Sequence, residues 1–115
     1  MTLFENFSLM RECFPDSWVR KLPLLLFPAD AIRRGGKVVA LCTTFNKRII
    51  LLCVHPRYRL KGLASRLIKQ SDATVTDTYL GNDAALKMWR KNGFRVEKVE
   101  DTLFGKRYLL VRRGR

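Results

Sequence analysis

The sequence predicts an α/β fold, α+β in its order of elements, as a single domain over residues 1–115. Three observations predict it. The runs Lys37–Phe45 and Ile49–Val54 suit strands and are joined only through Asn46-Lys47, so they form an antiparallel pair. The second run leads through Pro56 and Gly62 straight into an amphipathic helical period, and a third strand-like run, Ala73–Leu80, follows that helix and so lies parallel to the second. Finally, 115 residues with 47% hydrophobic content supply one core, and too many apolar side chains for a disordered basic tail.

Composition narrows the function classes. The longest apolar run, Leu22–Phe27 with Pro23 inside it, is far too short to span a bilayer, and Glu5 stands where a secretory start needs an uncharged stretch. A soluble, cytoplasmic protein with no membrane partner is expected. Cys13, Cys42 and Cys53 are an odd number, sit among apolar neighbours and share no ligand spacing with the only histidine, His55, which predicts reduced buried thiols and no metal. Lysine and arginine total 23 against 10 acidic residues, a net charge of +13. That excess suits an acidic protein surface or nucleic acid as partner, and nearly as well a merely basic solvated surface.

Taken in order, Leu3, Phe4, Phe7, Met10 and Phe14 keep a helical period that Pro15 stops. Asp16 or Ser17 can cap a short helix carrying Trp18, Val19 and Leu22, with Pro23 forcing an exit and Leu24–Phe27 continuing as a brief strand or extended connector. Gly35-Gly36 is a turn signal into Lys37–Phe45. After the Ile49–Val54 strand, Leu60, Leu63, Ala64, Leu67 and Ile68 fall at i, i+3, i+4, i+7 and i+8 and make the inward face of a helix. In Ala73–Leu80, Val75, Asp77 and Tyr79 alternate with Thr74, Thr76 and Thr78. Asn82 or Asp83 can cap a helix facing inward with Ala85, Met88 and Trp89, and Asn92-Gly93 gives it a left-handed stop before Phe94. Phe94–Val99 and Arg107–Val111 form a hairpin around Gly105, and Arg112–Arg115 is expected to be a loose tail.

The chemistry is expected between the Ile49–Val54 strand and the helix after it. A helix opening directly behind a strand presents unpaired N–H groups and the positive end of its dipole, which is a site for an anion. Gly62 and Ala64 leave room for a phosphate to approach the main chain, and Arg57, Arg59 and Lys61 add positive charge. The spacing lacks the three-glycine dinucleotide fingerprint and the lysine-hydroxyl ending of the P-loop.

Arg59-x-x-Gly62-x-Ala64 resembles the acyl-CoA pyrophosphate loop of the GCN5-related N-acetyltransferases, the GNAT superfamily, whose pattern is Arg or Gln, two residues, Gly, one residue, Gly or Ala. Downstream, Asn82-Asp-Ala-Ala85-Leu-Lys-Met88-Trp89-Arg-Lys-Asn-Gly93-Phe94 is similar to that family's Asn-x-x-Ala-x-x-apolar-Tyr-x-x-x-Gly-Phe segment. The two motifs occur in the right order. The match is specific over 37–94, looser through Val111 and weak over 1–36. The resemblance implies a GNAT-like mixed sheet in which antiparallel strands precede a splayed parallel pair, flanked by helices, with the family's first strand missing. Within one domain it assigns 1–36 to a variable helical substrate-side region, 37–94 to an acyl-CoA-binding core and 95–111 to a C-terminal hairpin. Homodimerisation is one way for a chain lacking an edge strand to complete its sheet.

The resemblance further implies acetyl-CoA as co-substrate and N-acetyl transfer to an amine, either a protein lysine or amino terminus or a small amine. The pantetheine arm pairs with free main-chain groups of Leu52, Cys53 and Val54, the pyrophosphate takes N–H groups from the turn Arg59, Lys61, Gly62, Leu63, Ala64 and Ser65, with Leu60 in the same turn, and Asn82 approaches from the second strand's side. The Val54 N–H is the candidate oxyanion donor. At the family's tyrosine stands Trp89, whose indole cannot deliver a proton, so Trp89 is expected as a core or pantetheine-packing residue. Tyr79 is then the candidate acid and Asp77 the candidate base. For each there is a plainer reading, an interface tyrosine and a hydrogen-bonding aspartate. His55 and Cys53 are expected to be structural. The alternative function is a catalytically lapsed GNAT-fold module binding nucleic acid or a partner protein, which suits the charge of +13.

Overall fold

The computed structural model describes residues 2–113, and within them the elements α1 (Thr2–Cys13), α2 (Trp18–Lys21), β1 (Ala29–Arg34), β2 (Lys37–Phe45), β3 (Arg48–Val54), α3 (Leu63–Gln70), β4 (Val75–Tyr79), α4 (Asp83–Lys91), β5 (Arg95–Thr102) and β6 (Gly105–Val111). One six-stranded sheet runs in the order β1-β2-β3-β4-β6-β5. All neighbours are antiparallel except β3 and β4, as the intervening helix demands. Among the described residues no helix is long and apolar enough to cross a membrane.

Each face of the sheet carries its own core. On one face Leu63, Leu67 and Ile68 of α3 and Trp89 of α4 pack with Val39, Ala40, Ile49 and Leu110. On the other, Leu9 and Met10 of α1 meet Val38, Leu41, Leu51 and Cys53, with Trp18, Leu22, Leu24 and Leu25 closing the layer. Asn46 and Lys47, at φ +51° and +65°, form the two-residue turn between β2 and β3, whose conformation matches the twist of the paired strands.

Strand β3 is irregular at one point. Thr43 stands opposite Leu51 and Thr44 opposite Ile49, so Ile50 is an extra residue in β3, a β-bulge. The bulge reverses the strand's alternation. Ile49 packs on the α3 side together with Leu52 and Val54, while Leu51 and Cys53 face α1.

The structure corrects four expectations. Residues 29–34, expected within a helical region, form strand β1, so the antiparallel part has three strands and not two. Leu22–Leu26 is a 3-10 helix with Pro23 in its first turn, where proline's missing N–H costs nothing, and only Phe27 is extended. Leu60 has φ +63° and is fully exposed, because the helix begins three residues later. Arg112 is anchored: Nε donates to the Ala73 carbonyl at 2.7 Å, Nη2 to those of Ile68 and Ser71 at 3.0 and 3.2 Å, and its guanidinium lies 4.8 Å from the Phe94 ring centroid. The last two residues of that tail, Gly114 and Arg115, lie outside the described residues.

Candidate functional site

The site is built from a strand pair that stops pairing. β3 and β4 share one register pair, Arg48 with Val75, where the Thr74 and Val75 N–H groups donate to the Lys47 carbonyl at 2.8 and 3.2 Å and the Thr76 hydroxyl to that of Ile49 at 3.3 Å. Beyond this rung the strands part. β4 spends its other edge on β6 from Val75 to Tyr79.

The main-chain groups of β3 that look into the gap are set by its pairing with β2. The His55 N–H donates to the Val39 carbonyl at 2.7 Å, and in an antiparallel ladder the groups alternate, so Leu51, Cys53 and His55 turn towards β2 while Leu52 and Val54 turn towards β4. This corrects one expectation: Cys53 stands opposite Leu41, with its main chain in the ladder and its thiol in the α1 core. The Val54 carbonyl is held by Arg59, whose Nε donates to it at 3.1 Å.

The gap opens onto the start of α3. Gly62 is its N-cap at φ +78°, a left-handed conformation that any side chain would strain. The first helical bond runs from Arg66 N–H to the Gly62 carbonyl at 3.0 Å, which leaves the N–H groups of Leu63, Ala64 and Ser65 ahead of it at the positive end of the dipole. A Cβ built on Gly62 meets no atom within 4 Å, so the space in front of the turn is open. Beside it Arg66, Lys69 and Lys91 line a hollow of about 670 Å³ between α3 and α4. Asn92 ties the two helices together, its Nδ2 donating to Ser65 Oγ at 3.1 Å and to the Met88 carbonyl at 2.9 Å. Sequence reasoning missed Arg66, Lys69 and Lys91. The signal was available for the first two, which share the polar face of the helix opening at Gly62.

Asn82 caps α4, its Oδ1 accepting from Ala85 N–H at 3.2 Å. Trp89 is buried at 5% exposure in the core of the α3–α4 face, in an edge-to-face contact with Phe94, centroids 5.3 Å apart. The His55 ring is fully engaged: Nδ1 accepts from Arg57 N–H at 3.1 Å, so Nε2 carries the hydrogen that faces the Glu12 carboxylate. Cys53 is a buried free thiol. Its hydrogen bond with Cys13 and then its burial push its thiol up.

On the α1–α2 side of the sheet, where β3 and β4 begin to part, lies a groove of about 370 Å³. The bulged Ile50 from β3 and Asp77 and Tyr79 from β4 stand on its two sides, under Lys21 and Leu24. Both catalytic candidates therefore share one groove. Asp77 is tied to the Arg48 guanidinium, with Arg107 Nη1 3.7 Å away, and Tyr79 is 37% exposed at the rim. Arg48 and Arg107 were invisible in the sequence because they reach Asp77 from other strands. Among the described residues no cluster of three or more His, Cys, Asp or Glu side chains could hold a metal ion.

No curated protein sequence matches the chain significantly. Solved structures match its fold closely at low identity. A GNAT-family acetyltransferase from Bacillus cereus superposes with a TM-score of 0.75 at 14% identity, covering 98% of this chain and 90% of that one. The ribosomal-protein-S18-alanine N-acetyltransferase from Escherichia coli gives 0.70 at 15% identity, covering 94% and 84%. A GNAT-family acetyltransferase from Elizabethkingia anophelis, solved with acetyl-CoA bound, gives 0.69 at 14% identity, covering 90% and 87%. The profile described as "Acetyltransferase (GNAT) domain" matches residues 29–96, more than half of the sequence, and takes in the parted strands, the Gly62 turn and the Asn82-capped helix. With the mixed sheet and its single parallel rung, this match shows that the chain belongs to the GNAT acetyltransferase family.

Proposed function

We propose that the protein is an acetyl-CoA-dependent N-acetyltransferase. The observation that carries this reading is the single-rung β3–β4 pair, which leaves the Leu52 and Val54 main chain facing a gap that ends at the left-handed Gly62 turn. The residues present fit the co-substrate. Leu52 and Val54 would hold the pantetheine arm as an added strand, the N–H groups of Leu63, Ala64 and Ser65 would hold the pyrophosphate, and Arg66, Lys69 and Lys91 would meet the remaining phosphate charge. Acetyl-CoA supplies a thioester: the acceptor nitrogen bonds to the acetyl carbon, the C–S bond breaks, the amine gives up a proton and the thiolate takes one.

The chain's own contribution is orientation, charge and proton supply. The Val54 N–H is the oxyanion donor. For its carbonyl to pair with the incoming arm, the Arg59 guanidinium must leave it, and the phosphates at the adjacent turn draw that cation away. Tyr79, at the groove rim, is the proton donor. Asp77 is committed to Arg48 and Arg107, so it orders those cations and the amine proton leaves to water.

The test is thiol release from acetyl-CoA across amines, peptides and polyamines, with thermal shift as the binding readout. Saturating acetyl-CoA giving neither shift nor thiol release would refute the proposal. The second reading, a lapsed module binding nucleic acid, is favoured by the net charge of +13 and by Trp89 at the family's tyrosine position. Steeply salt-dependent RNA binding without thiol release selects it.

A further inference from the structure

The groove beside the gap carries charge that its own carboxylates do not balance. Arg48 and Arg107 share Asp77, and Arg107 Nε also donates to Glu100 Oε1 at 3.1 Å. Arg20 and Lys21 have no carboxylate within ion-pair distance among the described residues. Each rests on an aromatic face instead. The Arg20 guanidinium lies 4.4 Å from the Phe104 ring centroid and the Lys21 ammonium 4.6 Å from that of Phe14. Burial, followed by repulsion from Arg20, lowers the pKa of Lys21, and an anion entering the groove offsets that repulsion.

Phe104 lines the groove at 61% exposure, and its neighbour Leu103, at the tip of the β5–β6 hairpin, is 97% exposed. A small amino carboxylate leaves these side chains in water, whereas a peptide covers them. A basic peptide adds cations to a groove that already holds two unpaired ones.

Building on the acetyl-transfer reading, we infer that the acceptor amine arrives through this groove on an acidic peptide, whose carboxylates next to the amine meet Arg20 and Lys21 while an apolar side chain covers Phe104. Ile50 and Asp77 flank both the groove and the parting strands, so an amine seated there faces the gap in which the thioester is held.

The test compares two fluorescein-labelled peptides binding to the full chain saturated with CoA, one with Asp and Glu after its free amino terminus and one with Lys in their place. The acidic peptide should bind about tenfold tighter, and its thiol release from acetyl-CoA should be faster in proportion. The preference should vanish in Arg20→Glu/Lys21→Glu and weaken in the milder Arg20→Gln. It should survive in Arg34→Glu/Lys37→Glu, which makes the same change in net charge at the β1–β2 turn. Equal affinity for the two peptides overturns the inference, as does equal loss in both double variants. Competition by free glutamate at the peptide's own concentration overturns the peptide and leaves a small amino carboxylate. Wild-type protein that shows no acetyl-CoA thermal shift removes acetyl transfer and this inference together. A normal shift without acidic preference removes the inference alone.

Discussion

Replacing Gly62 separates what its backbone conformation does for folding from what its openness does for binding. At φ +78° an alanine incurs about 1 kcal/mol of left-handed strain, with no steric addition because nothing lies within 4 Å of the new Cβ. For a chain of this size that corresponds to a melting temperature lower by about 4–8 °C. Gly62→Glu carries the same strain, partly offset by about 0.3–1 kcal/mol because a carboxylate favours a helix N-terminus. The two variants should therefore melt within a few degrees of each other. They should differ with ligand. Acetyl-CoA at a hundredfold excess over its dissociation constant stabilises the wild type by about 2.7 kcal/mol, a shift of roughly 10–20 °C. A carboxylate a few ångströms from a diphosphate costs about 1–4 kcal/mol, so the Glu variant should lose between about a third and nearly all of that shift while Gly62→Ala keeps most of it. Differential scanning fluorimetry with and without acetyl-CoA reads both. A Glu variant shifting as far as the wild type would show that the diphosphate does not lie at this turn.

Arg112→Ala should strand the carbonyls of Ile68, Ser71 and Ala73 and lower stability by about 2–4 kcal/mol in urea unfolding, and Arg112→Lys should not restore it because an ammonium cannot reproduce the planar fork. Burial, and then Asp30, push the Cys42 thiol up to about 12 from its ordinary 9.0, so the folded state keeps a proton that the unfolded chain releases. The stability this contributes is complete below pH 9 and is lost as pH rises towards 12, at about 1.4 kcal/mol per pH unit. The wild type should lose stability faster than Cys42→Val across that window, and parallel curves would refute the assignment. Cys13 is lowered by its hydrogen bond with Cys53 and by the Arg59 guanidinium, while Cys53 is raised by the same bond and by burial. Iodoacetamide on the native protein should therefore alkylate Cys13 first, and mass spectrometry finding Cys42 or Cys53 ahead of it would contradict this.

The sequence made the parallel pair and helices α3 and α4 legible because their signals are local: an apolar period for α3, an asparagine cap for α4, a two-residue turn between β2 and β3. β1 was missed because it is an edge strand in which only Ile32 is buried, so no alternation marks it. Leu60 misled for the opposite reason. Its spacing fits the helical period, and periodicity cannot register that Leu60 and Gly62 adopt left-handed conformations that delay the helix. The Gly62 turn could be read from its motif, but Arg66, Lys69 and Lys91 become one hollow only when α3 and α4 lie side by side. Arg48, Asp77 and Arg107 come from three strands, and Arg112 from beyond the last, so their pairings exist only in the fold.

The extra residue in β3 turns the opening of the sheet into a matter of counting. Because Ile49 and Leu51 face opposite cores, excising Ile50 leaves every remaining core side chain on its proper side and restores an unbroken strand. Such a chain should fold, zip β3 to β4 along their length, melt higher than the wild type and ignore acetyl-CoA. If so, point substitutions tune the lining of the cleft, whereas its existence depends on that one backbone unit.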